Sequence, residues 1–170
     1  MSVPVGPPWL MILGYVVALL VLQSALSRLL SPLGVPPPDL FLLTGIALAR
    51  RTLPVSALLG AYALGLAQDI LGAGALGLHA AALAGGTLLV LLTRRAAGSR
   101  AGQGLLSVLA AVLGQWLTFM FLTYWLRTGL VTAESLVHIL PLSLLTTLIA
   151  APLWNWFADY ALGRVPDGLE

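Results

Sequence analysis

The chain has 170 residues, of which 59% are hydrophobic and 8% charged, where a soluble domain carries about 25% charged residues. With a mean hydropathy of +1.01 it is expected to be an integral membrane protein with most of its length in lipid. It has no cysteine, which excludes disulfides and thiol catalysis, and its eight basic residues are all arginines grouped near loops, so the basic balance signals topology and not nucleic-acid binding.

The first apolar run, 8–30, is long enough to cross, and Pro7-Pro8 pre-sets its first turn. No positive charge precedes it, since the first basic residue is Arg28, so it reads as a span and not as a cleaved leader. Gly14 and Ala18 lie four apart on one face and predict close helix packing. Pro36-Pro37-Pro38 then imposes extended chain. After Asp39 the apolar run Leu40 to Ala49 has only about ten residues before Arg50-Arg51, where about 20 is usual for a crossing. The segment 36–49 is thus a half-span, a re-entrant piece, or a full span completed by the prolines and a thinned bilayer.

The third span is expected over 53–71. Ala57, Ala61 and Gly65 recur at i, i+4 and i+8 on one smooth face, and Asp69 continues that row. Further spans are expected over 75–93, 104–126 and 135–160, the last interrupted by Pro141 and Pro152 and ending in Trp154, Trp156, Phe157 and Tyr160, which suit a headgroup boundary. Two clean spans separate Arg50-Arg51 from Arg94, Arg95 and Arg100, so both clusters lie on one side, and the positive-inside bias makes that side cytoplasmic. The 72–77 turn is then outside and the C-terminus inside. Six spans place the N-terminus inside as well, and five spans with a re-entrant segment place it outside.

Asp69 and His79 flank a glycine-rich turn, and ionisable residues at membrane depth are functional candidates. They suit a proton relay, a metal pair or a hydrogen-bonded clamp. The clamp is the plainest reading, because Asp69 ends a helix where the dipole disfavours negative charge and needs a compensating donor. No zinc, nucleophile, phosphate-loop or dinucleotide motif appears, so no catalytic, cofactor or metal residues are expected. Asn155 and Asp159 share a face at i, i+4 and suit capping or headgroup contact. Gln115, Thr118, Ser143, Thr146 and Thr147 either bridge helices or line a ligand cavity. The Trp116–Trp125 stretch suits an interfacial belt, with stacking on a ring-shaped ligand as the alternative.

Pro37-Pro38-Asp39-Leu40, the Arg50-Arg51 pair, and Gly60-x-x-x-x-Gly65-Leu66-x-Gln68-Asp69-Ile70-Leu71 followed by Leu76-Gly77-Leu78-His79-Ala80 together resemble the rod shape-determining protein MreD family. The match covers residues 36 to about 84. The resemblance implies a non-enzymatic inner-membrane scaffold of about six helices, an all-α fold similar to the S-components of energy-coupling-factor transporters. It implies a bitopic MreC partner in the complex that builds lateral peptidoglycan, and more distantly MreB, RodA and a class B penicillin-binding protein. It implies no cofactor, and it leaves self-association open. In this reading Gln68, Asp69, His79, Gly65 and Gly77 form the partner-binding or structural clamp, and Gly14, Ala18, Ala57 and Ala61 pack helices, against each other or against a partner's span. The rival class is a vitamin-binding transporter S-component using Gln115, Trp116, Tyr124 and the Thr/Ser set. The scarcity of mid-span polar groups weighs against it.

Overall fold

The computed structural model describes residues 8–72, 76–94, 100–126 and 133–163. They form helices α1 (Pro8–Leu30), α2 (Leu40–Arg51), α3 (Pro54–Gly72), α4 (Leu78–Thr93), α5 (Arg100–Trp125) and α6 (Ala133–Leu162), with a 3₁₀ turn at Ser31–Leu33, and no strand occurs among the described residues. Four helices are long and apolar enough to cross a membrane, over Leu10–Leu33, Pro54–Leu71, Gln103–Trp125 and His138–Leu162. The protein is therefore all-α and has the makings of a multi-pass membrane protein. Its surface agrees. Val21, Ile149 and Leu153 are 61%, 69% and 71% exposed, while Ala47, Ala49, Ala57, Ala61, Ala80, Ala111 and Ala158 are fully buried. Large apolar side chains cover the outside, and the interior combines such small residues with Leu19, Leu42, Leu43, Ile46 and Leu83; small residues at helix contacts are typical of helices that associate in lipid.

The helix α2 is the axis of the bundle. Every residue from Leu40 to Ala47 is buried, and so is Ala49, so this short helix is sheathed on all sides and touches α1, α3, α4, α5 and α6. It starts at Leu40, four residues later than the expected span. Prolines 36–38 have no amide to donate, and the Asp39 carboxylate caps the first turn through Leu42 N at 2.9 Å. It ends on Arg50 and Arg51, where positive charge suits the helix terminus. Arg51 pairs with Asp159 on α6 and donates to Gly163 O at 3.0 Å. Arg50 donates to Ser107 Oγ on α5 at 3.2 Å, and Arg94, just past α4, donates to Ala49 O at 3.2 Å. Arg50, Arg51 and Arg94 thus gather at one end of the bundle, as the charge distribution predicts. Arg95 and residues 73–75, part of the turn expected to face outward, lie outside the described residues.

Helices α4 and α5 pack closely on glycines. A methyl group added at Gly114 would lie 2.8 Å from Gly85 O and 2.9 Å from Gly86 Cα, and one at Gly86 would lie 2.7 Å from Ala111 O. Neither Gly85, Gly86 nor Gly114 was singled out from the sequence. The α3 row behaves as its spacing suggests: Ala57 and Ala61 are fully buried, and a methyl at Gly65 would lie 2.3 Å from Ala80 Cα. In α1 the face buried in the bundle is not centred on Gly14 and Ala18. Tyr15 and Leu19 point inward at 4% and 0% exposure, Ala18 is half-buried, and Gly14 is exposed with nothing within 4 Å of an added methyl. Gly14 therefore packs against no helix among the described residues. Helix α6 runs on through Pro141 and Pro152 without the expected interruption. Both prolines are exposed on its outer surface, and membrane helices tolerate proline where local hydrogen bonding readjusts.

Gly65→Val forces α3 and α4 apart and is expected to destabilise the protein by about 2 kcal/mol or more. Gly14→Val should leave the unfolding midpoint of the purified protein unchanged. A thermal melt of the two variants in the same detergent makes the comparison.

Candidate functional site

Asp69 ends one helix and caps the next. Its Oδ2 accepts from Gly77 N at 2.8 Å and from Ala80 N at 3.3 Å. Its Oδ1 accepts from His79 N at 3.1 Å and meets the His79 ring at Nδ1 at 2.7 Å. Three free amides at the start of α4 and one imidazole thus converge on one carboxylate with no exposed side-chain surface. This answers the electrostatic problem posed by the sequence. The unfavourable C-terminal dipole of α3 is offset by the favourable N-terminal dipole of α4 and by four hydrogen bonds. A carboxylate can only accept, so Nδ1 carries the proton. Gly77 enables the arrangement: its φ of +92° turns the chain into α4 and presents its amide to Asp69, a backbone region that side chains with a Cβ disfavour by about 1–2 kcal/mol.

A second carboxylate does the same for α2, and sequence reasoning did not rank it among the site residues. Asp39 Oδ1 takes Leu42 N, and Oδ2 accepts from Gln115 Nε2 on α5 at 2.8 Å. The backbone around it is tied across the bundle. Asp39 N donates to Thr147 Oγ1 on α6 at 3.1 Å, and Leu40 N donates to Gln23 Oε1 on α1 at 3.0 Å. The signal was present, since an aspartate immediately before an apolar run is a helix-start pattern. Its tertiary partners were not visible, because they come from helices 76 and 108 residues away.

Asp39, Gln68, His79, Gln115, Trp116, Phe119 and Ser143 surround a cavity of about 210 Å³. Of the residues singled out from the sequence, Gln68 and His79 lie on its wall with Gln115, Trp116 and Ser143. Asp69 stands behind His79, and Gly65 and Gly77 set the backbone that holds His79. Tyr124, at 86% exposure, is not among the lining residues. Thr147 bridges helices through Asp39, whereas Thr118 and Thr146 bond within their own helices to Gly114 O and Ser143 O. Asp159 serves the arginine end and not this cavity. Gln68 Oε1 is buried and has no hydrogen-bond partner among the described residues.

A second polar centre lies deeper. Thr44 Oγ1 donates to Leu40 O at 2.8 Å and receives Trp154 Nε1 at 3.1 Å, with Tyr15 Oη 3.0 Å away. The rings of Tyr15, Trp154 and Phe157 cluster beside it, Tyr15 stacked on Phe157 and both tilted against Trp154. It joins α1, α2 and α6 and is closed to solvent. No trio of His, Asp or Glu able to hold a metal ion occurs among the described residues.

No family profile, no curated protein and no solved structure matches this chain.

Asp69→Ala strands three amides at the start of α4 and is expected to cost at least about 2 kcal/mol, read as a lowered unfolding midpoint. His79→Ala removes one hydrogen bond from a carboxylate that keeps its three amides, so its loss should be about 1 kcal/mol in the same melt.

Proposed function

We propose that this chain is a non-enzymatic membrane scaffold of the MreD type, which docks the membrane span of a bitopic MreC-like partner in a bacterial cell-elongation complex. The observation that carries the reading is how the resembling segments are used. Pro37-Pro38-Asp39-Leu40, Gln68-Asp69 and Gly77-Leu78-His79 come from three separate parts of the chain and meet around one cavity. There both carboxylates are engaged by backbone amides. Groups held this way define the angles between helices, and a scaffold needs its geometry held.

In this reading all six helices cross the membrane, in an arrangement like that of transporter S-components. The 12 residues of α2 supply about 18 Å of helix. The extended chain from Val35 to Asp39 adds about 15 Å, and the two together match a hydrocarbon core of about 30 Å. The arginine end of the bundle faces the cytoplasm and Gly77 faces outward. Within α3 the small-residue row is occupied by the chain's own helices. The partner's span therefore docks on α1, where Gly14 is exposed beside Val17 and Val21, a surface that admits close helix approach. MreB, RodA and the class B penicillin-binding protein associate at one remove, through that partner. The cavity at Asp39 is the one feature that favours the transporter-subunit alternative.

The test is a tagged purification from host membranes in mild detergent, with mass spectrometry of the proteins and small molecules that co-purify. A single-span protein with a large outer domain is expected in near-equal amount. It should fall at least tenfold in a Gly14→Leu/Ala18→Leu variant whose own melting point is unchanged. Recovery of transporter subunits with a retained vitamin, and no such partner, would overturn the scaffold reading.

A further inference from the structure

Independently of any partner, the chemistry of the cavity wall selects a ligand. Its 210 Å³ hold about seven water molecules at liquid density, or one small organic molecule. Its charge is negative and comes from Asp39, and its wall offers acceptors at Asp39 and Gln68 beside the donors of Trp116, Ser143 and the Gln68 amide nitrogen. Gln68 Oε1 is buried and unpartnered among the described residues. Asp39 Oδ1 and Oδ2 each accept one hydrogen bond and each keep a second lone pair. Two nearby donors are already committed, since Gln115 Nε2 bonds Asp39 and His79 Nδ1 bonds Asp69.

The remaining wall is aromatic. Trp116 and Phe119 meet edge to face at 6.3 Å, and the His79 ring lies 5.8 Å from Phe119. No lysine or arginine lines the space. An anion would face the Asp39 carboxylate with no positive partner. A neutral apolar molecule would leave Gln68 Oε1 unpaired, which is costly inside a protein. One carboxylate is too few for a divalent metal cage. A small cation carrying N–H donors satisfies all three features: it bonds the acceptors, offsets the Asp39 charge and lies against aromatic faces.

We infer that the Asp39–Gln68–Trp116 cavity is a binding site for a small organic ammonium compound. Gln68 is also on the wall of a groove of about 930 Å³ formed by α1 residues Leu20, Gln23 and Ser24 with Leu71 of α3. That one side chain is shared by the groove and the cavity, and Arg28 also lines the groove, so the positive charge on this side lies outside the cavity.

The experiment is isothermal titration of the whole protein in nanodiscs of zwitterionic lipid, with empty nanodiscs as the blank. Butylammonium is the probe. Its neutral counterpart 1-butanol and tetramethylammonium, which lacks N–H donors, are the controls. Saturable binding of butylammonium is expected, with each control at least tenfold weaker. Gln68→Leu and Trp116→Leu should each weaken it at least tenfold. Gln68→Leu should keep or raise the unfolding midpoint, because it removes a stranded acceptor. Absence of saturable binding, equal binding of either control, or undiminished affinity in either variant overturns the proposal. The Gly14→Leu/Ala18→Leu variant should bind butylammonium normally, so the fate of the docking surface is read separately.

Discussion

A helix that begins inside a membrane protein has unpaired amides and no water to satisfy them. This constraint governs two of the six helices here. Both α2 and α4 start after interruptions, and each start is met by an aspartate, Asp39 from within the same segment and Asp69 from the helix before. The bonds do more than cap. Through Asp39 and its neighbour Leu40, α2 is tied to α1, α5 and α6. Through Asp69, α3 is tied to α4. The two cuffs of hydrogen bonds stand near each other across one cavity.

The opposite end of α2 carries the complementary charge. Arg51 and Arg94 serve its last carbonyls, while Arg50 reaches α5 and Arg51 also reaches α6. The central helix is thus held at its start by a carboxylate and at its end by guanidinium groups, in keeping with its dipole. Between the two ends the bundle closes on small residues. The glycines at the α4–α5 crossing and Gly65 facing Ala80 leave no room for a methyl group. Hydrophobic driving force between helices is weak in lipid, and backbone proximity takes its place.

The polar interior has two chemical characters. The Thr44 centre, with Tyr15 and Trp154, pairs its donors and acceptors and acts as a bolt between α1, α2 and α6. The Asp39 cavity keeps unspent acceptors beside aromatic faces. Buried polar groups that are fully paired specify a structure, and those left over invite a ligand. A rigid scaffold and a small-molecule site are compatible in one bundle, because the hydrogen bonds that hold the helices also build the cavity wall.

Hydropathy alone pointed to helices long and apolar enough to cross a membrane, because a helix satisfies its backbone within a single apolar run. The unusual position of Asp69 and His79 was also legible, since a charge at a helix C-terminus demands a compensating donor close by in sequence. Only the tertiary structure decided that the donors are the first amides of α4. It likewise turned Tyr15 and Leu19 inward, brought Gly85, Gly86 and Gly114 together at the α4–α5 crossing, and joined Asp39 to Gln115 and Thr147. In a chain this apolar every helix face looks buriable, so periodicity cannot choose the packing face. Contacts between distant helices depend on how the other five cylinders nest around α2, a property of the whole bundle and of no single segment.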